Sequence, residues 1–91
     1  MKKINFKEFT IKLDIAGTKK QTVDVREAFA NILYSRVNGI RAHSLSITIY
    51  RSDGILEITG EDAELIGAVA AQFCTPAFID AINEQLNNQE Q

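Results

Sequence analysis

Ninety-one residues, 45% of them hydrophobic and 24% charged, with a formal net charge of -2, define a chain that folds around one core. This composition excludes a disordered chain. The longest apolar run, at Ala68 to Ala71, falls far short of the ~20 residues that a bilayer span requires, so no membrane partner is expected.

Lys2, Lys3 and Lys7 open the chain without the apolar stretch of roughly 7 to 15 residues that marks a secretory leader. Cys74 is the only cysteine, so no internal disulfide can form, and a cytoplasmic location is expected. A domain of this size has a thin margin of stability, which self-association commonly widens.

Phe9, Ile11, Leu13 and Ile15 alternate with polar residues, the period of a half-buried strand. Ile4 and Phe6 lie in the opposite phase, which calls for a bulge near Lys7-Glu8 or a separate extended segment. After a polar loop around Gly17, Thr22-Val23-Asp24-Val25 resumes the alternation, so residues 9 to 25 read as a hairpin. Asp24 and Glu27 have the spacing of a capping box. Val25, Phe29, Ile32, Leu33 and Arg36 then share one helical face, and Asn38-Gly39 supplies a left-handed stop.

Leu45, Ile47 and Ile49 alternate with Ser46, Thr48 and Tyr50, and Leu56 and Ile58 resume the period after Asp53-Gly54, which predicts a second hairpin. Glu61, Asp62 and Glu64 place negative charge at the start of a second helix, whose core stripe is Leu65, Ile66, Val69 and Phe73. Thr75-Pro76 restarts the chain as a third helix, lined by Phe78, Ile79, Ile82 and Leu86. The predicted fold is α+β, in the order ββαββαα: two β-hairpins forming one four-stranded antiparallel sheet with three helices on one face. Residues 1–86 form a single domain and residues 87–91 a polar, frayed tail.

The pattern contains no motif for catalysis, a cofactor or a metal. His43 and Cys74 are the only histidine and cysteine, and no local motif joins them. Gly17 and Gly54 are single turn glycines outside any phosphate-binding spacing. The expected function is therefore that of a non-enzymatic interaction or structural subunit, with itself or another protein as partner. Two features suggest where. Ala63, Gly67, Ala70 and Ala71 form a line of small side chains on the second helix, opposite its large-residue stripe. Either the third helix or the same helix of a second subunit fills that line. Tyr34, projecting away from the Phe29-Ile32-Leu33 face, adds an external contact.

The alternative is a nucleic-acid-binding module. All six lysines precede residue 21 and all four arginines precede residue 52, whereas residues 53 to 91 hold eight acids and no lysine or arginine. Lys19, Lys20, Arg36 and Arg41 would form the contact surface. Against this, Glu61, Asp62 and Glu64 are expected to return to the same pole and neutralise it, and Tyr50 is the only stacking platform on the polar sheet face.

Overall fold

A computed structural model describes residues 2–87. The chain runs β1 (Lys2–Asn5), β2 (Phe9–Lys12), β3 (Lys20–Val23), α1 (Arg26–Arg36), α2 (Ile40–Arg51), β4 (Ile55–Ile58), α3 (Gly60–Phe73) and α4 (Pro76–Asn87). The strands form two separate antiparallel pairs, β1 with β4 and β2 with β3. This overturns the single four-stranded sheet with three helices: there are four helices among the described residues, and the order is βββααβαα. Of the expected frayed tail 87–91, residues 88–91 lie outside the described residues, and Asn87 instead closes α4.

The decisive difference lies at Leu45 to Tyr50, which the alternation reads as a strand and which folds within α2 (Ile40–Arg51). Leu45, Ile47 and Ile49 do alternate, but the buried residues of this segment are Ala42, Leu45, Ser46 and Ile49, the i, i+3, i+4, i+7 set of a helix face. Ser46, which strand periodicity would turn to solvent, is 2% exposed and donates its hydroxyl to the His43 carbonyl at 2.7 Å. The β-branched run Ile47-Thr48-Ile49 lowers helix propensity by a few tenths of a kcal/mol per residue, less than the packing of one apolar face supplies.

Gly39 has φ 112° and ψ 156°, an extended conformation open to glycine, and it stands at the N-cap of α2. It therefore serves as the entry to a helix; α1 ends on the extended Val37 without the expected left-handed stop. Asp24 likewise departs from its expected capping role. Val25 occupies the N-cap of α1 without a side-chain cap, and the Asp24 carboxylate accepts instead from Arg26 N, Nε and Nη2 at 3.1, 3.0 and 2.8 Å. Arg26 Nη1 reaches on to the Ser52 carbonyl at 2.5 Å, tying the start of α1 to the end of α2.

The phase change between Ile4 and Phe9 is resolved by a bend at residues 6–8 that separates two extended segments. The Asn5 side-chain oxygen accepts from the Lys7 and Glu8 amides at 3.0 and 2.9 Å, which ends β1 before β2 begins. The hairpin read at 9 to 25 forms as β2–β3, with Phe9 opposite Val23 and the Thr10 and Thr22 hydroxyls 3.0 Å apart. Thr59 caps α3 by accepting from Asp62 N at 3.1 Å, and Thr75 accepts from Phe78 N at 3.4 Å at the start of α4.

These elements share one apolar core. Phe6, Phe9, Phe29 and Phe78 form a ring cluster with centroids 4.7 to 5.8 Å apart, joining the segment after β1, strand β2, α1 and α4. Helix α4 packs on α3, β1 and β2, while α1 and α2 pack chiefly on each other. That leaves the outer side of the α1–α2 pair open to solvent.

Candidate functional site

Helices α1 and α2 lie side by side and antiparallel along their whole length. Arg26 meets Ser52 at one end, and the Tyr34 and His43 rings lie 5.6 Å apart towards the other. The three-residue connection Val37-Asn38-Gly39 is short enough to enforce this αα-hairpin.

Along its outer seam runs a groove of about 380 Å³, lined by Ala30, Asn31, Tyr34, Ser46, Ile47 and Tyr50, with Glu27 and Arg51 at one end. Ala30 and Ser46 are buried and small, and they form the floor. Tyr34, Ile47 and Tyr50 stand at the rim, 64%, 37% and 56% exposed. Three large side chains held at one seam differ from apolar residues scattered singly over a surface, because a partner would desolvate them together.

The groove's polar groups do not form a reactive set. Ser46 donates its proton to the His43 carbonyl, and no described hydrogen bond places a base beside it. His43 is exposed beside Tyr34, whereas Cys74 lies partly buried after α3, where burial pushes its thiol above the ordinary value, the opposite of an activated nucleophile. No group of His, Cys, Asp or Glu among the described residues is placed to hold a metal ion.

The small residues singled out on α3 are divided. Ala70 is buried in the core and Ala63 packs against it, while Ala71 is exposed. A Cβ added at Gly67 would meet nothing within 4 Å, so neither α4 nor any other element approaches closely there. Tyr34 belongs instead to the α1–α2 groove.

The four candidate nucleic-acid contacts are also dispersed. Lys19 and Lys20 lie on the β2–β3 hairpin, whose packing helix is α4. Arg36 sits with its guanidinium 6.0 Å from the Phe73 ring, at the C-terminal end of α3. Arg41 grips the other end of α3, with Nη1 2.8 Å from Asp62 and Nη2 3.3 Å from Glu61. The hydrogen bond with Asp62, followed by the charge of Glu61, raises the Arg41 pKa above its ordinary value. Over eleven residues of helix the two arginine sites are separated by roughly 16 Å.

Of the groove residues, Tyr34 is legible in the sequence, whereas the strand-like alternation of residues 45 to 50 hides Ile47 and Ser46. The signal that finds them is the helical spacing of Ala42, Leu45, Ser46 and Ile49. No protein-family model matches the chain, and no curated protein or solved structure does either.

Proposed function

We propose that this chain is a non-enzymatic protein-interaction subunit that self-associates through the outer face of the α1–α2 hairpin. The observation that carries the reading is the exposed strip of Tyr34, Ile47 and Tyr50 above a floor of small side chains. Aromatic residues beside a small-residue floor supply a large contact area at low conformational cost and let a partner approach the backbone. A chain of 91 residues gains stability from such a contact by mass action.

The solution mass across a concentration series tests this. The wild-type chain is expected to show a concentration-dependent oligomer whose mass is indifferent to a mixed DNA and RNA pool. Tyr50→Glu, at an exposed position, is expected to yield a folded monomer. A wild-type chain that remains monomeric at every concentration overturns the reading.

A further inference from the structure

We infer that the second copy docks with its two-fold axis running along the α1–α2 groove, so that two helical hairpins close into a four-helix bundle in which Glu27 of each copy faces Arg51 of the other. This rests on the reading above and adds the geometry of the partner.

An isologous contact between two grooves, face to face, allows two principal orientations of the axis in the interface plane. The helices themselves tell them apart. Glu27 on α1 and Arg51 on α2 lie at the same end of the groove, the end where Arg26 meets Ser52, while Tyr34 and His43 mark the other end. Neither Glu27 nor Arg51 has an ion-pair partner among the described residues.

With the axis along the groove, α1 of one copy lies over α2 of the other at the same height. Glu27 then meets Arg51 of the second copy, and the four charges alternate around a square in which each has only opposite charges as nearest neighbours. With the axis across the groove, the copy is reversed end for end. Glu27 then meets Tyr34 of the second copy and Arg51 meets its His43, so both charges lose solvent without gaining a counter-ion, the costly way to place charge in an interface.

Both orientations give an all-antiparallel bundle, so helix dipoles do not choose between them. The charges at one end do. The buried Ala30 and Ser46 make the close approach feasible, because the floor presents no large side chain where the two hairpins would meet.

Charge inversion tests the arrangement, with Tyr50→Glu as the control for the surface itself. Glu27→Arg or Arg51→Glu alone creates two like-charge contacts per dimer and is expected to weaken association at least about tenfold. The combined variant restores opposite charges and is expected to return to within about threefold of the wild type. If Tyr50→Glu dissociates the oligomer while the single inversions leave the mass curve unchanged, the surface is right and the axis is wrong. A wild-type monomer removes both.

A second measurement does not depend on affinity alone. In a Cys74→Ser background, chains carrying Glu27→Cys and chains carrying Arg51→Cys are mixed and oxidised. The mixed disulfide is expected to dominate, and dominance of either like-with-like disulfide overturns the proposed axis.

Discussion

Asp14, Asp24 and Asp53 are exposed carboxylates held by local partners, and each is shifted in the same direction. The Thr18 hydroxyl lowers the Asp14 pKa, the Arg26 side chain lowers that of Asp24, and Lys7, 3.0 Å away, lowers that of Asp53. A pKa lower in the folded than in the unfolded chain means that the unfolded chain binds protons more readily. The resulting stabilisation is fully present above the ordinary value of 3.8 and is lost as pH falls through the lower folded values. Urea midpoints are therefore expected to stay level as far as these three groups act between about pH 7 and pH 5, and to fall below about pH 4. Asp24→Asn is expected to flatten part of that fall. It also weakens the Arg26 contact that ties α1 to the end of α2.

At the level of elements, a glycine and a threonine of the same region give opposite expectations. Gly67 lies inside α3 with open space where its Cβ would be, so Gly67→Ala is expected to raise stability by about 0.5–1 kcal/mol through backbone entropy. Thr59 satisfies an amide at the start of the same helix, and Thr59→Ala is expected to cost about 1 kcal/mol. Denaturant unfolding of the two variants beside the wild type checks both signs. Helices α3 and α4 and the β2–β3 hairpin are legible because their ends carry chemistry of their own: the acids Glu61, Asp62 and Glu64, the Thr75-Pro76 pair and the loop at Gly17. The segment 40–51 carries no such punctuation beyond Gly39, and its three alternating isoleucine and leucine positions fit a strand as well as a helix. Misplacing it hid the groove, since only an antiparallel partner for α1 brings Ile47 and Tyr50 beside Tyr34. The β1–β4 pairing was hidden for another reason: it joins segments some fifty residues apart, and nothing local specifies that closure.

For the whole molecule, association and folding are linked, because a contact made only by folded chains adds to their stability in proportion to the logarithm of concentration. The melting temperature of the wild type is expected to rise across a hundredfold increase in concentration, while that of Tyr50→Glu is expected to stay constant. A wild-type value independent of concentration would count against association in the folded state. Strand β1 raises the reverse problem, contacts that must be prevented. At Asn5 the strand β1 has a second partner besides β4: its amide donates to Gln85 Oε1 at 2.8 Å, and its carbonyl accepts from Gln85 Nε2 at 3.2 Å. The primary amide of Gln85 thus imitates one rung of a β-ladder, and a helix side chain occupies the edge where another strand could add. Unprotected edges of this kind are templates for intermolecular sheet growth. Gln85→Leu keeps the bulk but removes the rung, and it is expected to shorten the lag before fibrillar aggregation under mildly destabilising conditions, followed by thioflavin fluorescence. By holding the Asn5 N–H and C=O, the α4 amide takes the rung that an added strand would need first.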